Sequence, residues 1–380
     1  LEQVAAASNY AVLHALLGTD PDRSWAGYVM GTLLALIIEA NLSVTRGLTM
    51  VVSSRVPEGK GVSSSAALEV ASMQALVRAF DLNIDPAAIA TWCQRVENLV
   101  VGAPCGIMDQ MTSALGRSGQ LLQLLCQPAT VLKPAVVPPE IAFWGIDSGL
   151  RHAVSGSDYT SVRVGAFMGY RIVAELAGFR VRFDDGRGVV QVDDPRYGGY
   201  LANLSPSEFA QHYATHLPRQ ILGKDFLTAY SGTTDSVTKV EPDRTYAVLE
   251  PTQHPIGEHF RVRVFAELLP HAGSERAREL LGELMYQSHA SYSACGLGSD
   301  GTDLLVELVR RAGPRAGLYG AKITGGGSGG TVAVLGAAGA GGAVARIAEQ
   351  YAEQTGRHAA IFSGSSEGAA AFGATALVTE

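Results

Sequence analysis

Apolar positions recur every three to four residues along much of the chain, and that spacing predicts helices before anything else. Leu1 to Leu17 reads as one helix, with Gly18 as its stop, and Trp25 to Ala40 as a second. From Leu48 to Pro57 the pattern turns β-rich, "LTMVVSSRVP", and predicts a strand that ends at proline. A turn follows, then a helix to about Phe80 whose apolar face is Ala66, Val70, Met73 and Val77. Asp85-Pro86 sets an N-cap before a proline at the first helical position, so the next helix runs to about Leu99. Its stripe is Ile89, Trp92, Cys93 and Val96, and a further helix begins near Gly106. Ile141 to Gly149 reads as a strand, Tyr159 to Ala177 as a helix, and Phe179 to Tyr200 as the start of a polar excursion. Farther on, Gly282 to Ser291 and Gly301 to Arg311 are helical, with Met285, Tyr286 and His289 on a core face. Gly320 to Gly336 reads strand, glycine loop, strand, and the C-terminal stretch adds one more strand and a Gly/Ser loop. There is no fixed-period repeat and no regular βαβ alternation, so the fold class expected is two-lobe α+β.

Composition narrows the function classes. The chain has 380 residues, 47% hydrophobic and 17% charged, which suits a folded protein of two packed lobes. With 29 basic and 36 acidic residues, a net charge of −7 and no Lys/Arg run, nucleic acid and anionic membrane are poor partners. Cys93, Cys105, Cys126 and Cys295 show no CxxC spacing, which suggests free thiols in a reducing cytoplasm. The longest apolar run, Val29 to Leu42, is broken by Thr32, Glu39 and Asn41 and is too short to span a bilayer. The sequence opens at Leu1 inside a helical pattern, with no signal-peptide pattern, and reads as a piece of something longer.

Candidate chemistry gathers in four places. "VPEGKGVSSSAALEVAS", Val56 to Ser72, puts Gly59, Gly61, Ser63, Ser64 and Ser65 at the mouth of a helix. The first N–H groups of a helix lack partners within it and carry partial positive charge, so small residues there let phosphates approach. The plainer alternative is a turn that caps a helix. Neither a Walker loop nor a GxGxxG fingerprint fits. Gly325 to Gly330 hold five glycines in six positions between strands, which suggests close backbone approach to a ligand or to the first loop. Glu97, at the edge of an apolar stripe, suits a Mg²⁺ ligand or a satisfied structural glutamate. Asp109, in a first helical turn after Gly106, could orient or deprotonate a hydroxyl, or merely stabilise its helix. Asp147, Arg151, His152, Asp158 and Tyr159 form a polar cluster after a strand, where ligand contacts often collect.

Together these stretches resemble the GHMP kinase superfamily, which includes galactokinase and the homoserine, mevalonate and phosphomevalonate kinases. "VPEGKGVSSSAALEVAS" is similar to its phosphate loop and "KITGGGSGG" to its C-terminal glycine motif; "GAPCGIMDQ" and "GELMYQSH" narrow the likeness to the galactokinase branch. The wording of "FWGIDSGLRHAVSGSDY" and "ACGLGSDGTD" points within that branch to arabinose-phosphorylating members. The likeness covers the chain from about Trp25 to the end. It implies the GHMP kinase fold: an N-terminal lobe over residues 1–178 with β/α topology like a ribosomal-protein domain, a polar excursion over 179–240, and a ferredoxin-like α+β lobe over 241–380. It implies ATP-dependent phosphorylation of a monosaccharide at its anomeric hydroxyl, L-arabinose first, with galactose or another sugar, or non-catalytic sugar and ATP sensing, as alternatives. By the same likeness Asp109 is the catalytic aspartate, and Gly106 and Tyr159 touch the sugar. Gly59, Gly61, Ser63, Ser64 and Ser65 hold the ATP phosphates, Ser65 and Glu97 take Mg²⁺, and Gly325, Gly326 and Gly327 brace the phosphate loop. A monomer or weak homodimer is expected. The family's first motif, GRxDxMGxxxDY, is not found in these residues; the expectation is that it lies upstream of Leu1, the alternative being a natural variant that has lost it, and either leaves a sheet edge open where its strands belong.

Overall fold

A computed structural model describes residues 9–17, 24–45, 47–150, 157–184 and 189–375. The chain divides into two compact units, one spanning Leu1–Val137 with Gly364–Glu380 and the other Pro138–Ser363. Among the described residues no helix is long and apolar enough to cross a membrane.

The first unit is helical. It contains α1 (Tyr10–Leu17), α2 (Ser24–Glu39), α3 (Ser64–Ala79), α4 (Pro86–Val96), a π-helical turn Glu97–Val101, and α5 (Met108–Leu115). Leu34 and Leu36 of α2, Val70 and Met73 of α3, Cys93 and Val96 of α4, and Met111 of α5 meet in one core. The expected cap of α4 forms: the Asp85 carboxylate accepts from the N–H groups of Ala87 and Ala88 at 3.0 and 3.1 Å, with Pro86 at the first helical position. A β-carbon on Gly31 would sit 2.3 Å from Val96 Cγ1, so this glycine lets α2 lie close on α4. Two short antiparallel ladders follow, β1 (Gln120–Leu121) with β4 (Ala135–Val136) and β2 (Leu124–Leu125) with β3 (Thr130–Val131). The C-terminal turn Ala369–Phe372 returns to this unit, where the Gly368 N–H donates to the Gly116 carbonyl at 2.8 Å.

The strand expected at Leu48 to Pro57 does not form. This stretch carries no regular secondary structure, and Val51 is 90% exposed. β-rich residues make a strand only when a neighbouring strand takes up their backbone hydrogen bonds, and among the described residues none pairs here.

The second unit is built on an antiparallel sheet in the order β10 (Leu318–Ile323), β11 (Thr331–Ala337), β5 (Ile141–Asp147), β12 (Ile361–Ser363). In register, Thr331 lies opposite Asp147 and Ala337 opposite Ile141. The helices of this unit are α6 (Ser157–Leu176), α7 (Pro206–His212), α8 (Gly223–Tyr230), α9 (Leu249–Leu268), α10 (Glu275–Ala294), α11 (Asp300–Ala312) and α12 (Gly341–Thr355). Leu305 and Val309 of α11 and Val344, Ile347 and Tyr351 of α12 cover Ile146, Ala321, Val332 and Val334 of the sheet. The stretch that begins as a polar excursion folds here too. It forms a hairpin of β6 (Arg180–Asp184) with β7 (Val189–Asp193) and a second ladder of β8 (Gln220–Leu222) with β9 (Thr245–Ala247). Tyr197, Leu204, Phe209, Tyr213 and Phe226 are buried against Val164, Met168 and Ile172 of α6. Its charge is an outer face; the apolar residues between the charges make a core of their own.

Candidate active site

The head of α3 has the conformation its glycines foreshadow. Gly59 and Gly61 have φ of +69° and +67°, and Ser63, the N-cap, also sits in the left-handed region at φ +62°. A side chain there costs about 1–2 kcal/mol, a strain that collects at functional turns. The Ser63 side chain makes no capping hydrogen bond, so it does not close off the helix end. The first N–H groups of α3 therefore face forward with Ser63, Ser64 and Ser65 around them.

Beneath that turn lies a group of buried polar side chains. Glu97 opens the π-helical turn after α4 and is 4% exposed. The Ser65 and Cys105 side chains hydrogen-bond to it. Gln110 Nε2 donates to Glu97 Oε2 at 2.6 Å and to Glu69 Oε2 at 3.2 Å. Burial raises the Glu97 pKa, the hydrogen bonds from Ser65, Cys105 and Gln110 offset part of the rise, and the charge of Asp109 adds to it. Glu69 is fully buried on α3, and burial, then the charge of Glu97, pushes its pKa well above the carboxylate range. Burial and the nearby glutamates also push up the Cys105 thiol and the Tyr28 phenol. Asp109 lies in the first turn of α5, half-buried, and Gly106 just before it has open space where a β-carbon would stand.

The first unit thus brings together Ser65, Glu97 and Asp109 from three separate stretches of chain. Oxygen donors on Ser65 and Glu97 in contact, with the charge of Asp109 acting on Glu97, fit a hard divalent cation such as Mg²⁺. Among the described residues no group of three or more His, Cys, Asp and Glu forms a metal cage. A cation at Ser65 and Glu97 would complete its shell with water and ligand oxygens, the usual habit of Mg²⁺. Glu69 and Gln110 are the partners that sequence reasoning missed. The signal for Glu69 was there: a carboxylate within the buried stripe of Ala66, Val70 and Met73.

Tyr159, Gly325, Gly326 and Gly327 belong to the second unit. Tyr159 is half-buried near the start of α6. The glycine loop joins β10 to β11, and Gly325, Gly327, Gly329 and Gly330 all have positive φ. The close approach it makes is to its own unit: a β-carbon on Gly327 would lie 2.6 Å from the Leu297 carbonyl oxygen. The Tyr292 hydroxyl donates to the Gly325 carbonyl at 2.6 Å, and the Ser328 N–H to Leu297 O at 2.7 Å. Of the polar cluster after β5, Asp147 is buried and accepts from the Gly149 N–H at 2.9 Å. Arg151 and His152 lie outside the described residues, as does the Asp158 side chain.

Comparison with known proteins bears on this arrangement. Residues 27–117 match the GHMP kinases N-terminal domain and residues 266–353 the GHMP kinases C-terminal domain. The galactokinase of Chloroflexus aurantiacus is 30% identical over 340 residues, covering 89% of this chain and 73% of that protein. The chain belongs to the GHMP kinase family. The chain is also 46% identical over 385 residues to the L-arabinokinase of Arabidopsis thaliana, covering 96% of its own length. It spans 37% of the length of that plant relative. The crystal structure of Lactococcus lactis galactokinase complexed with galactose shares its fold, with a TM-score of 0.70 at 20% identity. That match covers 93% of this kinase and 76% of the other chain.

Proposed function

We propose that this kinase transfers the terminal phosphoryl group of ATP to the anomeric hydroxyl of a monosaccharide, L-arabinose first, leaving ADP and the sugar 1-phosphate. The observation that carries the reading is the meeting of Ser65, Glu97 and Asp109 at the head of α3, on a chain 46% identical to an L-arabinokinase. The ATP phosphates lie against the N–H end of α3, where Gly59 and Gly61 admit them and Ser63, Ser64 and Ser65 donate hydroxyls. Ser65 and Glu97 hold Mg²⁺, which when bound neutralises charge on the phosphate oxygens. Asp109 accepts a hydrogen bond from the anomeric hydroxyl and takes its proton as the phosphoryl group leaves ATP. Phosphoryl transfer needs little covalent help from the protein, so positioning and charge carry most of the effect.

The galactokinase relatives favour galactose as the second substrate to try. A coupled ADP-release assay over L-arabinose, D-galactose, other pentoses and uronic acids tests the reading. The expected result is Mg²⁺-dependent ADP release highest with L-arabinose. A higher rate with galactose would replace the substrate, and nucleotide binding without ADP release on any sugar would overturn the reaction.

A further inference from the structure

Glu69 has no place in the mechanism above, yet it is fully buried on the helix that carries the phosphate loop. Its Oε2 accepts from Gln110 Nε2 at 3.2 Å, while its Oε1 has no partner among the described residues. Gln110 is in the same condition: its amide nitrogen donates to Glu97, to Glu69 and, at 3.8 Å, toward Cys105 Sγ, and its Oε1 is buried without a partner among the described residues. The two orphans therefore sit on the two side chains that already share a hydrogen bond. Both are acceptors when Glu69 is ionised, and a buried acceptor left unpaired destabilises the fold. A proton on Glu69 would let its Oε1 donate to Gln110 Oε1 while Oε2 goes on accepting from Nε2; such a cyclic acid–amide pair would fix which end of the Gln110 amide is nitrogen and turn its second N–H onto Glu97.

We propose that Glu69, held as a neutral acid, is a positioning residue for the cation site: it locks the Gln110 amide, which holds the Glu97 carboxylate beside Ser65. The proposal rests on the functional reading above, because Glu97 matters here as the cation's carboxylate. It also explains why Gln110 follows Asp109 directly: α5 presents the reacting carboxylate and the clamp for the neighbouring one on successive residues.

The test compares Glu69→Gln, Glu69→Met and Gln110→Met with the wild-type chain. Calorimetry measures Mg²⁺ binding in the presence of a non-hydrolysable ATP analogue, and each variant's melting is recorded. Glutamine at 69 keeps the cyclic pairing, amide to amide, so Glu69→Gln should hold Mg²⁺ within about twofold of wild type. The two methionine variants should weaken it roughly 10–100-fold, the usual cost of losing a group that orients a metal ligand. A tenfold loss in Glu69→Gln would overturn the proposal, because the charge on Glu69 would then be what the site needs. Methionine variants that bind Mg²⁺ as wild type does would overturn it as well. Should Glu69→Met fail to fold, Gln110→Met supplies the same comparison from the other helix. Wild-type chain that binds no Mg²⁺–nucleotide would instead bring down the functional reading, and this proposal with it.

Discussion

At the scale of single residues, Asp109 and Gly106 probe the proposed sugar site in different ways. Asp109→Asn keeps the shape of the side chain and its place in the first turn of α5. If the carboxylate takes the sugar proton, turnover should fall roughly 10²–10⁴-fold with nucleotide affinity little changed. Steady-state ADP release beside equilibrium binding of the analogue separates the two; unchanged turnover removes Asp109 from the chemistry. Gly106 is a different kind of probe, because a β-carbon there meets no atom of the described residues within 4 Å. If the sugar lies against Gly106, Gly106→Ala should leave the first unit's unfolding transition where it is and raise KM for the sugar, since the methyl group would take up sugar-binding space. An alanine variant that loses stability and keeps its KM would give the glycine a structural role instead.

Between elements, close backbone approach and buried charge set the tolerance to change. A β-carbon on Gly282 of α10 would fall 1.9 Å from the Tyr319 carbonyl oxygen, and one on Gly320 of β10 would fall 2.4 Å from Gly282 Cα. Backbone cannot rotate away as a side chain can, so Gly282→Ala should destabilise by about 1–3 kcal/mol or more, read from denaturant unfolding. Nearby, Glu258 of α9 accepts from the Ser288 hydroxyl at 2.6 Å and from Arg261 Nε at 2.7 Å, with Lys322 Nζ of β10 at 3.5 Å. Burial alone would raise its pKa; Lys322, Ser288, the neighbouring His254 and Arg261 outweigh burial and bring it down to about 2. A carboxylate depressed in the folded state stabilises above its unfolded value, about 4.3, and that contribution is lost as pH falls toward about 2. Glu258→Gln should therefore cost on the order of 3 kcal/mol at neutral pH, with the gap from wild type closing on acidification. A gap that stays constant down to pH 3 would refute the assignment. Much of this architecture is legible in the sequence: α2, α3 and α4 show in the apolar period, the α4 cap in Asp85-Pro86, and β10, its loop and β11 in the glycine run between apolar stretches. Leu48 to Pro57 misleads because sheet formation depends on a partner strand and not on the segment's own residues. Gln110 and Glu69 lie 41 positions apart, and nothing local to either announces that the fold will join them.

For the whole molecule, binding and chemistry can be told apart through stability. A ligand that binds only the folded state stabilises by RT ln(1 + [L]/Kd), about 2.7 kcal/mol at a hundredfold excess over Kd. Two compact units make a single melting temperature a poor readout, since they can unfold in separate steps. The tryptophans offer a way round. Of the three in the chain, Trp25 and Trp92 belong to the first unit and Trp144 to the second. In Trp144→Phe protein the fluorescence therefore reports the first unit, which carries Gly59, Gly61, Ser63, Ser64, Ser65 and Glu97. A Mg²⁺–ATP analogue should raise that transition, and the shift should survive when Asp109→Asn is added, although turnover does not. If Glu97 holds the cation, Glu97→Gln should need more Mg²⁺ to produce the same shift. If the analogue leaves the first unit's transition unmoved at saturating Mg²⁺, the phosphates do not rest on the head of α3. The serines and left-handed glycines there then serve the turn alone.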